Sequence, residues 1–280
     1  MISPFSHSRP IVTAAVAASL LMACPALAGI DASFDDGNTD QSSDGFPGTA
    51  GDGWLNSWLT RTNSRTTFIS GPTVDDTQPL HDDTGNYLSA TLGLAAGQTG
   101  GVTGVVTRNY EKVHDGFDAD AVHIVHFLFR PDSFTSNTVF MIFERGGSPI
   151  STDSATIWQI RGNQANGWMV YDGNRNGGIR EEIKTGIDLA AGRTYAFTVT
   201  VDPTQQSYQV AISDGVQQPY TSPELGFRSS ATSVGQGVHF GGSDSDGDTF
   251  SFSLDEVSFV PEPVSAVLIG FGGLALFMRR

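Results

Sequence analysis

Between residues 29 and 260 the chain has no long segment with an apolar period of 3.6 residues, which rules out a helical core. Short β-branched and aromatic runs recur instead, separated by clusters of Gly, Asp, Asn and Ser. The clearest run is 121–129, Ala-Val-His-Ile-Val-His-Phe-Leu-Phe. Both of its faces are largely apolar, so it is predicted to be a central strand covered on both sides. Further strands are expected at 101–108, 138–143, 156–161, 168–171, 194–201, 208–213, 238–240 and 249–259. In 194–201 the residues alternate, placing Tyr195, Phe197, Val199 and Val201 on one face. A turn at 202–206 then leads into 208–212, which makes a hairpin. The pattern predicts an all-β fold, a two-sheet antiparallel sandwich or jelly roll. No repeat of 20 to 50 residues is present, which argues against a solenoid or propeller.

The two ends read differently from this body. Residues 1–10 carry Arg9, residues 11–23 are apolar, and Ala26-Leu27-Ala28 supplies an A-x-A pattern. Residues 1–28 therefore read as a signal peptide cleaved after Ala28. The one cysteine, Cys24, lies inside it, and a lipoprotein with lipidated Cys24 is the alternative. On the main reading the mature chain has neither disulfide nor thiol and is held together by its core alone. At the other end, Pro261-Glu262-Pro263 precedes an apolar run over 264–278 and then Arg279-Arg280. The 15 apolar residues would span about 22 Å as a helix, short of a comfortable membrane crossing. An ordinary single-span anchor is the other reading of this tail.

These three parts, in this order at the C-terminus, resemble the PEP-CTERM sorting signal of exopolysaccharide-producing Gram-negative bacteria. The resemblance covers 261–280 only. It implies export and a transient inner-membrane tether through 264–278. It further implies processing near Pro261, Glu262 and Pro263 by an exosortase-type membrane protease, with release to the cell surface or extracellular matrix. It does not say what residues 29–260 do there.

Removing Arg9, Arg279 and Arg280 from the 15 basic residues leaves 12, against 30 acids within the body or at its edge, a charge near −18. Such a balance argues against nucleic acid as a partner, because phosphate binding relies on Lys and Arg. It also argues against anionic lipid and strongly anionic polysaccharide unless calcium bridges the charges. About 230 residues suffice for a single β domain.

Three stretches of the body, Ile30-Asp-Ala-Ser-Phe-Asp-Asp36, the 194–212 hairpin and the closing 250–259 run, are similar to the concanavalin A-like and laminin-G-like jelly rolls. The resemblance implies that the first and last strands lie together. That fold serves enzymes and lectins alike, so function must be read from a site. A retaining glycosidase needs two carboxylates about 5–5.5 Å apart. On a strand this means acids at i and i+2 or i+4, and the Glu-x-Asp-x-(x)-Glu motif of laminarinase-like members is absent. Glu181 and Glu182 are adjacent, Glu144 has no acid two or four residues before it, and Asp118 and Asp120 sit in a Gly/Asp loop. His123 and His126 are three apart, hence on opposite strand faces, and His81 lies beside Asp82 and Asp83. No catalytic residue is assigned.

Two non-catalytic chemistries remain. Asp244, Asp246 and Asp248 stand two apart in a glycine-containing loop, and Asp35 or Asp36 would converge with Asp255 if the terminal strands pair. Either set suits a structural Ca²⁺, a solvated acidic turn being the alternative for the first. For sugar, an aromatic platform beside planar polar groups is needed. Trp158, Trp168, Tyr171, Asp172, Asn174 and Arg175 offer both, unless the aromatics belong to the core. Trp54 and Trp58 are expected to be packing residues. The expected function is a non-catalytic carbohydrate-binding module. The alternatives are a purely structural matrix protein and a polysaccharide-degrading hydrolase or lyase.

Overall fold

A computed structural model describes residues 29–38, 42, 44–80, 85–145, 156–173, 181–228 and 237–262, and these contain strands and no helix. One sheet has β15 (Tyr220–Thr221), β14 (Ser207–Ser213), β13 (Tyr195–Asp202), β8 (His123–Ser133), β18 (Phe250–Pro261), β4 (Tyr87–Leu94) and β3 (Thr66–Asp75) in that order. To it β1 (Ile30–Ala32) adds beside β18, and β16 (Leu225–Gly226) beside β14. The second has β12 (Glu181–Lys184), β11 (Gly167–Asp172), β10 (Thr156–Asn163), β9 (Thr138–Arg145), β17 (Gly237–Asp244), β5 (Val102–Asn109) and β2 (Leu59–Thr62). The small pair β6 (Val113–His114) and β7 (Phe117–Asp118) lies apart. All strand pairs are antiparallel. We call the two the nine-stranded and seven-stranded sheets.

Strand parity builds the core. From the nine-stranded sheet Val125, Phe127, Phe129, Tyr195, Phe197, Val199 and Val201 are all fully buried, the last four being the predicted face of the hairpin. Facing them from the seven-stranded sheet are Phe140, Ile142, Ile160, Val170, Val238 and Phe240. Rings lock the two layers together: Phe240 meets Phe127 edge-on at 5.1 Å, and Trp158 lies parallel to Phe127 at 6.3 Å. The first strand pairs with the last, Ile30 opposite Phe259, as the resemblance implied. Trp54 and Trp58 are buried, with the Arg108 guanidinium 4.4 Å over the Trp54 ring.

The sequence reading missed β2, β3, β4 and β12, and the two-residue strands β6, β7, β15 and β16. β3 carries Gly71-Pro72 and two register shifts, and β4 is diluted by Ser89, Ala90 and Gly93, so neither reads as a β-branched run. β8 is central, but it is covered on its second face only in part. Leu128 is buried against Leu80 and Tyr87, whereas Ile124 and His126 are half-buried.

Residues 1–28, with Cys24, Ala26 and Ala28, lie outside the described residues, as do Pro263 and 264–280 with Arg279 and Arg280. Pro261 pairs with His123, and the Glu262 N–H donates to the Val122 carbonyl at 3.2 Å. The folded body thus reaches into the Pro-Glu-Pro motif with no linker between them.

Candidate functional site

The aromatic platform expected at Trp158 and Trp168 is not on the surface. Both side chains are fully buried in the core between the sheets. β10 has one extra residue against β9 between Thr156 and Gln159, and this bulge turns both Ile157 and Trp158 inward. Trp158 lies parallel to Phe127 at 6.3 Å, while Trp168 meets Phe197 edge-on at 4.9 Å and Tyr195 at 5.3 Å. Tyr171 is half-exposed on the outer face, with the Arg228 guanidinium stacked on its ring at 4.5 Å. Asp172 is committed to structure, accepting the Gly226 N–H at 2.7 Å. Asn174 and Arg175 lie outside the described residues.

Residues of opposite parity to the core form the outer face of the seven-stranded sheet. Register lines up Leu59, Thr107, His239, Phe143 and Gln159 in one row across β2, β5, β17, β9 and β10. A second row holds Arg61, Val105, Gly241, Met141, Arg161, Met169 and Lys184. Although on an outer face, the middle of the sheet is sunken: Arg145 is 2 % exposed, His239 and Gln159 5 % each, and Phe143 6 %. Phe143 and His239 stack at 4.5 Å with planes 9° apart. Burial, then the nearby charges of Arg145 and Arg61, hold the His239 pKa down at about 3, so its imidazole is neutral near pH 7. His239 Nδ1 and Thr107 Oγ1 are buried on this face with no hydrogen-bond partner among the described residues. Buried polar atoms are nearly always satisfied, which makes these two stand out on this face. Arg228 also donates to the Gln159 carbonyl oxygen, fixing that amide at the end of the row.

Acids are scarce here. Among the described strand residues Glu182 is the carboxylate that parity puts on this face, and Arg161 pairs with it. Glu144 points the other way, into the core, accepting from Tyr110 Oη at 2.7 Å and Trp158 Nε1 at 2.6 Å. His123 and His126 lie on opposite faces of β8, His123 against Phe117 in the interior and His126 beside Glu256.

The acidic segments expected to hold calcium are arranged otherwise. Asp244 is buried and accepts from Thr135 Oγ1 and Thr138 Oγ1 at 2.8 Å each, and from the backbone N–H groups of Asp246 and Asp248 at 3.0 Å. Burial raises its pKa, but these hydrogen bonds outweigh burial and leave it below the usual carboxylate value. Asp246 accepts from Asn137 Nδ2 at 2.7 Å. Asp36 is taken by Ser42. Asp35 and Asp44 are close enough to Asp255 for their charges to act on it. Burial first, then Glu256, Asp35 and Asp44, push the Asp255 pKa up to about 7. Among the described residues no group of three or more His, Cys, Asp or Glu side chains is arranged to hold a metal ion. These carboxylates do not fit a ready calcium site.

Asp255 has a consequence for stability. Its pKa is raised on folding from 3.8, so the folded state binds more protons between about pH 4 and 7. The penalty of ionising it is absent below pH 4, grows through that interval, and is complete above pH 7. Asp255→Asn should therefore stabilise the protein by about 1–3 kcal/mol at pH 8 and change little at pH 4. Urea unfolding at the two pH values checks this.

No protein-family model matches the chain, and no curated protein matches it. Among solved structures, a sialidase matches over 74% of this chain at 9% identity with a TM-score of 0.46. The chain spans only 17% of that protein's length. An alginate lyase from Klebsiella pneumoniae matches over 66% of this chain and 84% of its own, at 8% identity and a TM-score of 0.43. The catalytic domain of a glycoside hydrolase family 131 protein from Coprinopsis cinerea matches over 85% of this chain and 95% of its own, at 12% identity and a TM-score of 0.51. The fold is a two-sheet jelly-roll sandwich. At such identities the likeness carries the fold and not the activity.

Proposed function

We propose that the protein is an exported carbohydrate-binding module of the cell surface or extracellular matrix, and that it binds glycan on the outer face of the seven-stranded sheet. The observation that carries this reading is the sunken row Thr107–His239–Phe143–Gln159. It combines polar atoms with no hydrogen-bond partner among the described residues with the stacked Phe143–His239 pair, and the half-exposed Tyr171 ring lies on the same sheet face. Sugars present the matching chemistry, hydroxyls around the ring edge and C–H groups on its faces. Export and sorting rest on the resemblance of the two termini to a signal peptide and a PEP-CTERM tail. The hydrolase alternative gains nothing from this face, where Glu182 is held by Arg161 instead of facing a second acid.

The test is retention of the purified protein on a panel of immobilised neutral and acidic polysaccharides, with calcium and with EDTA. Saturable retention that EDTA leaves unchanged is expected. Tyr171→Ala should weaken it about fivefold, since a stacking platform is lost while the core is untouched. Absence of retention on every glycan would favour the purely structural matrix protein.

A further inference from the structure

The whole-chain charge argues against an anionic glycan, but the placement of the basic side chains reverses that argument. Twelve basic residues serve a body of charge near −18, and five of them, Arg61, Arg145, Arg161, Lys184 and Arg228, stand on or against the outer face of the seven-stranded sheet. Of the other described cations Arg65 is exposed in the turn between β2 and β3, and the rest are committed elsewhere. Arg130 pairs with Asp132, Arg193 with Asp214 and Lys112 with Asp120, while Arg108 is sunk beneath Trp54. Against the five cations parity sets one strand carboxylate, Glu182. A chain this acidic that gathers cations over one sunken sheet face makes a local positive field directed at whatever enters it.

From this placement we infer that the ligand is an anionic polysaccharide, carrying carboxylate or sulfate groups at intervals along its chain. The inference rests on the glycan-binding reading and names its substrate class. The row Arg61–Val105–Gly241–Met141–Arg161–Met169–Lys184 crosses the whole sheet, with cations at both ends and in the middle. Strands lie about 4.8 Å apart, so four strand spacings separate Arg61 from Arg161 by roughly 19 Å. Two more spacings, roughly 10 Å, bring the row to Lys184. Those gaps suit charges repeated along an extended chain better than one small anion. Between the cations Met141 is half-buried, while Val105, Gly241 and Met169 are buried. The neutral His239 and the Thr107 hydroxyl add hydroxyl partners in the neighbouring row. Planar guanidinium groups match both carboxylate and sulfate.

The experiment compares binding of the purified protein to a polyuronate, a sulfated glycan, a neutral β-glucan and single-stranded DNA, at two salt concentrations. Arg61→Gln and Lys184→Gln are the main variants, because neither side chain is buried and folding should survive their loss. Arg193→Gln, whose partner is Asp214, is the control. Each main variant should weaken polyuronate or sulfated-glycan binding about fivefold and the double variant about 25-fold, with the control unchanged. Which of the two anionic glycans binds more tightly identifies the group recognised. Binding of the neutral glucan as tight as that of the anionic glycans, or variants without effect, would overturn the inference and leave the glycan-binding reading standing. DNA binding as tight as glycan binding would overturn it too, by reducing the face to charge alone. Failure of all glycans to bind would remove the glycan-binding reading itself.

Discussion

Trp168→Ala should lower the stability of the protein by about 3–5 kcal/mol, enough to threaten folding at 37 °C. The side chain is fully buried and contacts Phe129, Tyr195 and Phe197 edge-on, so its removal opens a cavity between the two sheets. The rings around it are held by the strands on either side and cannot collapse into the gap. Chemical denaturation checks the figure. A surface platform would respond in the opposite way, with stability kept and glycan affinity lost. The matched variant Tyr171→Ala, one strand position from the inward Val170, is expected to show that second behaviour.

Glu144→Ala should cost a similar amount, about 3–5 kcal/mol, for a different reason. The carboxylate sits inside the sandwich and is fully buried. Tyr110 Oη and Trp158 Nε1 both donate to it, and both donors are themselves buried. Burial, then the charge of Glu144 and its hydrogen bond, push the Tyr110 pKa well above its ordinary value, so the phenol stays a donor at all working pH values. Deleting the acceptor strands two donors in an apolar interior. Glu144→Gln keeps one acceptor oxygen and should cost less than half as much. The comparison of the two variants by urea midpoint checks the account. Equal and small losses would mean that water reaches the site.

The fold was legible because it depends on local signals. The alternation of 194–201 gave the inward face of β13, and the turn at 202–206 gave the hairpin. The pairing of Ile30 with Phe259 followed from resemblance, since no local pattern in three residues could dictate it. β3 was hidden because Gly71-Pro72 and its register shifts break the run.

The site was less legible. Parity correctly separated Trp168 and Val170 from Met169 and Tyr171, yet parity does not say which side is solvent when both carry large side chains. The extra residue in β10, which turns Trp158 inward, is a property of pairing with β9 and cannot be seen in β10 alone. His239, Thr107, Phe143, Gln159 and Arg61 come from five different strands, and only the sheet order brings them into adjacent rows. A partial signal was present: Gln159 and Arg161, like Phe143 and Arg145, are two apart and so share a face. Counting cations by face would have used that signal, where counting them over the whole chain averaged it away.

The central claim, that glycan binds the outer face of the seven-stranded sheet, has a convenient reporter. Of the five methionines, Met141 and Met169 belong to the sandwich, and register puts both on that face. Met1, Met22 and Met278 lie outside the described residues, in the segments proposed as leader and sorting tail. The measurement is a titration of the methyl-labelled protein with polyuronate oligosaccharides, following the methionine methyl resonances by NMR, with Met141→Leu and Met169→Leu for assignment. The account predicts that both sandwich resonances move together along one saturable curve, and that Arg61→Gln shifts that curve to higher ligand concentration. Saturable binding detected by calorimetry while both methyl signals stay still would contradict it, and would move the site to another surface of the sandwich.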